Sequence, residues 1–207
     1  MLLTPETLRK IVDTLSQDRA VLIAGLINEI CPKYGINNKD RLEEFLATLA
    51  HESGGFRIKE ENLNYTTAAR LRAIWPSRFT TDQMASGYVR NPQKLANFVY
   101  GGRMGNNNVN DGWDFRGAGF IQITGRFSFE AYHKYLKFNG TVQQLAQLIR
   151  TDDRWAMDSA CYVFAVEKQL LDEADNDQFQ LITKRINGGL IGWADRVKYL
   201  ERCKLYL

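Results

Sequence analysis

The sequence predicts a mainly helical domain with little or no β-sheet, and three observations point there. Apolar residues recur at helical spacing in one segment after another. Period-two alternation is scarce, with residues 120–124 the best strand candidate. No internal repeat or low-complexity linker interrupts the 207 residues. A chain of that length fits one domain over residues 1–207, with enough residues for two lobes around a cleft and a smaller lobe near 66–119.

Thr4-Pro5-Glu6 reads as a helix start, with a capping hydroxyl, a proline in the first turn and an early acid. Leu8, Ile11, Val12 and Leu15 follow at helical spacing. A second helix is expected over 20–31, ending before Pro32 and Tyr34-Gly35. Asp40 is placed to cap a third, whose apolar stripe is Leu42, Phe45, Leu46 and Leu49 and which stops at Gly54-Gly55. Residues 56–65 read as extended or looped, and 70–75 and 94–100 as short helices. Residues 101–119 are crowded with Gly and Asn. A loop this long inside a compact domain is either functional or disordered, and Met104, Trp113 and Phe115 argue for order. Further helices are expected at 127–138, 142–149, 154–169, 178–186 and 193–206.

With 44% hydrophobic and 25% charged residues, the chain has the composition of a soluble globular domain. Its net charge of +3 suits an acidic polymer or anionic envelope. It is too weak for nucleic acid, and no basic cluster alternates with aromatics. Cys31, Cys161 and Cys203 are odd in number and far apart, and only His51 and His133 could add imidazole. That excludes the usual zinc spacing and leaves buried free thiols of a reducing compartment. The longest apolar run, 20–27, is too short to span a membrane, so no stable membrane association is expected. The opening MLLTPETLRK lacks the layout of a secretory signal.

Glu52 carries the clearest chemical suggestion. On a helical wheel it lies about 20° from Phe45, at the edge of the apolar stripe. It also sits in the last turn, where exposed carbonyls make the helix end partly negative. Partial burial and that dipole both disfavour the ionised form, and a carboxylic acid kept protonated is what leaving-group protonation requires. The alternative is a plain Glu at an amphipathic edge. Glu61 follows nine positions later, and extended chain advancing about 3.3 Å per residue could carry it across a cleft. An inverting glycosidase holds its two carboxyls roughly 6.5–9.5 Å apart. Spacing alone leaves Glu60 open as the partner instead. His51 falls on the polar face, which suits a structural or substrate-orienting role. No Ser-His-Asp or Cys-His set and no phosphate-binding Gly-rich motif is present.

Five blocks stand in one order: AHESGGFR (50–57), ENLNY (61–65), VYGGRMGN (99–106), DGWDFRGAGFIQITGR (111–126) and INGG (186–189). Together they resemble glycoside hydrolase family 19, in its phage endolysin branch rather than its plant chitinases. The resemblance implies a lysozyme-like helical fold, with two lobes flanking a substrate cleft and no separate cell-wall-binding module. It implies inversion at the anomeric carbon, with Glu52 as general acid and Glu61, which opens ENLNY, as general base. It implies that Thr124 helps hold the water and Gln122 faces the sugar. Asn187 is then a substrate-binding residue, and Arg196 matches an arginine of the family's catalytic charge network. Tyr65, Trp113 and His51 complete the expected substrate-binding set.

The implied substrate is the glycan strand of peptidoglycan, cut between N-acetylmuramic acid and N-acetylglucosamine without metal or cofactor by a monomer. The implied setting is the host cytoplasm, with release to the wall through a holin. A chitinase and a noncatalytic peptidoglycan-binding phage component are the alternatives. Three positions depart from the family pattern: Ala118 where relatives have Arg, Ser128-Phe129 where an Asn-Tyr pair is common, and Ile191 where chitinases carry Glu. Without the resemblance, Asn187-Gly188-Gly189 reads equally well as a helix C-cap and turn. Gln122 and Thr124 then read as polar residues of a half-buried strand, and Trp75, Trp155 and Trp193 as core.

Overall fold

The computed structural model describes residues 2–207. Among the described residues the fold is mainly α with no sheet, because the apolar positions repeat at 3.6-residue spacing and no run of paired strands is supplied there. Hydroxyl and amide caps set the first helices. Thr4 accepts from the Thr7 N–H at the start of α1 (Pro5–Ile11), and Ser16 accepts from the Arg19 N–H at the start of α2 (Gln17–Ile30). The Ser16 cap starts α2 three residues earlier than its apolar stripe marks. A 3-10 turn at Cys31–Tyr34 follows and ends on Gly35, whose φ of 76° is the left-handed conformation that glycine tolerates. Asn38, rather than Asp40, caps α3 (Lys39–Glu52), and Asp40 lies in its first turn.

The chain forms two compact units. The first takes residues up to Lys59, then Gly119–Gln122 and Ile149–Leu207. Its centre is α3, on which α13 (Trp193–Tyr206) packs. Leu42, Phe45, Leu46 and Leu49 are buried as the stripe predicts, but so are Glu43, Glu44 and Thr48. A helix enclosed on more than one side buries part of its polar face too. Phe45 meets Phe164 edge-on at 5.3 Å. Truncating such a fully buried ring costs about 3–5 kcal/mol.

The second unit takes Glu60–Ala118 and Ile123–Leu148. It contains α4 (Ala68–Ile74), α5 (Asp82–Ser86), α6 (Pro92–Tyr100), α7 (Asp111–Asp114) and α8 (Arg126–Leu136). Leu63, Leu71, Phe79, Leu95 and Val99 form its core, with Tyr65, Trp75, Tyr100 and Trp113 packed against it. Helix α9 (Val142–Thr151) runs from this unit into the last segment of the first. That segment continues through α10 (Asp153–Tyr162), a π turn at Val163–Glu167, α11 (Leu171–Asp175) and α12 (Phe179–Asn187).

Two expectations need correction. Residues 120–124 form no strand. They lie in a turn closed by one bridge, with the Ala118 N–H donating to Ile123 O (3.0 Å) and the Ile123 N–H to Ala118 O (2.8 Å). Phe120, Ile121 and Ile123 are all buried, so the alternation was only apparent. Gly119 and Gly125, at φ 92° and 86°, end any extended run. The helix expected over 154–169 leaves α geometry after Tyr162, and three short helices, α5, α7 and α11, went unmarked because one turn carries little periodicity.

The Gly/Asn-rich stretch at 101–119 is ordered, as its embedded aromatics suggested, by polar side chains that satisfy its backbone. Asn106 donates to Tyr100 O and accepts from the Arg126 N–H, and Asn97 accepts from the Trp113 N–H. Buried Asp111 pairs with Arg126, whose guanidinium holds its carboxyl below the usual carboxylate range. Gly112 is required here. A Cβ on it would lie 2.5 Å from the Ala96 carbonyl oxygen, so α7 could not close on α6.

Candidate active site

The turn after α3 places Glu52. Ser53 donates to Leu49 O and accepts from the Phe56 N–H, folding the chain back on the helix end. Gly54, Gly55 and Phe56 all have positive φ (57°, 72° and 61°). For Phe56 this is strained, and the surroundings hold it there. Its ring is buried against Phe120, and its carbonyl accepts two hydrogen bonds from Arg19, itself paired with Asp153.

At that helix end two neighbouring residues of α3 meet two of α13. Glu52 accepts from Arg196 Nη2, and His51 Nδ1 lies 2.7 Å from Asp195 Oδ2. Arg196 is 1% exposed whereas the Glu52 side chain is 23% exposed, so the cation is inside and the carboxylate at the rim. Arg196 Nε donates to Ile191 O at 3.4 Å, and its Nη1 is buried without a hydrogen-bond partner. Gly192 is also required, because a Cβ on it would lie 2.4 Å from His51 Cε1. Asn187 ends α12 and is exposed, its amide 3.5 Å from Ile191 O, while Gly188 at φ 73° is the left-handed helix cap. The capping geometry is thus real, and the Asn187 side chain faces solvent beside it. The desolvated acid expected from the wheel acquires a partner that wheel geometry could not show, a buried guanidinium.

The second unit holds Glu61 differently. The Tyr100 hydroxyl donates to Glu61 Oε1 at 2.6 Å, and the Gly117 N–H donates to Oε2 at 3.2 Å. The Glu61 N–H in turn donates to Gly117 O at 3.0 Å, fixing both main chains. Burial, and then the Glu61 charge and hydrogen bond, push the Tyr100 hydroxyl well up, so it stays a donor across the working pH range. Tyr65 is also pushed up, by burial and then by Glu61. Adjacent Glu60 has other partners. Arg116 Nε donates to its Oε1 at 2.9 Å, and the Arg116 guanidinium lies over the Trp113 ring, 3.5 Å from its centroid. A pocket of about 270 Å³ opens between Glu60, Glu61, Asn62, Asn64, Pro92 and Trp113.

Of the expected site residues, His51, Glu52, Asn187 and Arg196 thus gather at one place in the first unit, and Glu61, Tyr65 and Trp113 at one place in the second. Gln122 is exposed and Thr124 half-buried in the turn ending at Gly125. Neither side chain joins those hydrogen-bonded groups among the described residues. Sequence reasoning missed Tyr100, Arg116 and Asp195 as partners, although all three lie in or beside the motif blocks. Trp75 and Trp113 are half-buried against the second unit's core, and Trp193 is tilted against Phe179 at 5.8 Å.

No family model matches the sequence. A protein of Haemophilus influenzae named "Glycosyl hydrolase family 19 domain-containing protein" is 36% identical over 180 residues, covering 84% of this chain and 80% of that protein.

Proposed function

Because the chain belongs to glycosyl hydrolase family 19 and so to the glycosidase-type hydrolases, we propose that it is a phage endolysin that cleaves peptidoglycan glycan strands. The bond cut is the β-1,4 link between N-acetylmuramic acid and N-acetylglucosamine. Glu52 protonates the glycosidic oxygen, and Glu61 takes a proton from the water that attacks the anomeric carbon. Thr124 steadies that water. Gln122, Asn187, Tyr65, Trp113 and His51 contact or orient the sugars, and Arg196 holds Glu52 in place. Two carboxyls supply both proton transfers, so the reaction asks for no metal or cofactor. The protein acts as a monomer, accumulating in the host cytoplasm and reaching the wall after holin-mediated release.

The observation that supports this reading best is the contrast between adjoining carboxylates. Both line the same pocket, but Glu60 is tied to a cation that also lies over Trp113, whereas Glu61 is oriented by two neutral donors. An aimed carboxylate with lone pairs to spare suits a general base.

Purified peptidoglycan and chitin, digested in parallel and read by proton NMR before mutarotation, test it. The expected product is a new N-acetylmuramic acid reducing end that appears first as the α-anomer. Initial β-product overturns the inverting assignment, since a nucleophilic carboxylate retains configuration. A 1,6-anhydro end removes hydrolysis altogether, and cleavage of chitin alone replaces the substrate.

A further inference from the structure

Two of the three cysteines have a relation that the reaction does not use. Cys31, where α2 passes into the 3-10 turn, and Cys161, in the last turn of α10, place their Sγ atoms 3.7 Å apart, although 130 positions separate them in sequence. Both are buried free thiols. Cys203 is the third; it is buried on α13, where Glu43 is the charge it feels. A pocket of about 240 Å³, lined by Asn28, Cys31, Pro32, Asn38 and Leu42, opens beside Cys31. Cys161 does not line it.

We propose that Cys31 and Cys161 are a redox modification site, a dithiol that a small disulfide converts to an intramolecular Cys31–Cys161 disulfide. The Cys31 thiolate, reached through the pocket, attacks one sulfur of the oxidant RSSR and expels one RS⁻. The Cys161 thiolate then attacks the Cys31 sulfur of the mixed disulfide and expels the second. The two thiol protons end on two RSH, and the two electrons lost by the protein pair reduce RSSR. Cys31 lines the pocket and Cys161 does not, which makes Cys31 the first attacker and Cys161 the resolving partner; burial, and then its neighbour Cys31, push the Cys161 thiol up. Closing the sulfurs to about 2.05 Å needs side-chain rotation. Both residues sit at helix ends, next to a 3-10 turn and a π turn that can adjust.

The bond would join the first unit's two long segments, enclosing the whole second unit in the loop between them. So long a loop restricts the unfolded chain strongly. A hydrolase of a polymer outside the reducing cytoplasm meets oxidising conditions where it works, although the inference stands on the thiol geometry and not on the substrate.

The test treats the native protein with bis(2-hydroxyethyl) disulfide, quenches with acid, and counts free thiols after unfolding. Expected are three thiols before and one after, with peptide mapping that finds the Cys31 peptide joined to the Cys161 peptide and Cys203 free. The oxidised form should melt roughly 5–10 °C higher, reversibly with dithiothreitol. Three surviving thiols under conditions that oxidise the urea-unfolded chain would overturn the proposal. So would an adduct that stays on Cys31 unresolved, or a cross-link through Cys203.

Discussion

The ends of the two units hold their carboxylates by opposite means. In the first unit Glu52 sits at the rim of a buried cation, Arg196, with a second hydrogen-bonded pair, His51–Asp195, alongside. In the second unit Glu61 is held by a tyrosine hydroxyl and a backbone N–H, and Arg116 is committed to Glu60 and Trp113. A charge-assisted hydrogen bond holds a carboxylate more strongly than a neutral one, whereas neutral donors mainly fix direction. The difference teaches that one kind of side chain can be anchored by a buried cation in one unit and by uncharged donors in the other.

The largest test removes the carboxylates themselves. Glu52→Gln and Glu61→Gln should each leave a folded protein that binds glycan strands yet loses about 10²–10⁴-fold in wall hydrolysis. Near wild-type turnover from either folded variant would strike that residue from the mechanism.

A carboxylate with neither kind of partner sharpens the contrast. Glu44 lies two turns before Glu52 on α3, and both its oxygens are buried without a hydrogen bond. Burial, followed by Asp177, pushes its pKa up to about 8, with Lys204 opposing and Glu43 and Asp40 adding to the rise. The unfolded chain ionises this group near pH 4.3, roughly its unperturbed value. Its raised folded pKa therefore leaves stability intact below that point and erodes it as pH climbs towards 8. Glu44→Met should consequently stabilise the protein by about 2–4 kcal/mol at pH 8.5 and far less at pH 4, read by urea unfolding. A gain independent of pH would mean that Glu44 is hydrated.

The next test exchanges the two environments' key partners. Tyr100→Phe should lower turnover roughly tenfold by loosening the aim of Glu61. Arg196→Met should lower it further, roughly 10²-fold, since it deletes a charge-assisted hydrogen bond and not a neutral one. Equal losses from both would break the comparison. The smallest effect is expected at Thr124. Thr124→Val should reduce turnover a few-fold, roughly the worth of one hydrogen bond, and more than it weakens binding. Normal turnover with a lowered melting temperature would make Thr124 structural.

The helical class, the burial of Leu42, Phe45, Leu46 and Leu49, and the stop at Gly54-Gly55 were legible in the sequence, because they follow from local periodicity and from residues with special backbone freedom. Glu52 and Glu61 could be picked out by position and by motif. Arg196 too could be named by motif, but not its pairing with Glu52, 144 positions away, nor Tyr100 as the partner of Glu61, 39 away, nor Arg116 as the partner of Glu60, 56 away. The strand expected at 120–124 failed for the same reason, since a five-residue apolar pattern cannot tell a half-buried strand from a fully buried turn. What the chain writes locally is which residues prefer a helix, a cap or a turn. Which charge meets which carboxylate, and which thiol lies 3.7 Å from another, depends on distant segments packing together, and that only the tertiary structure decided.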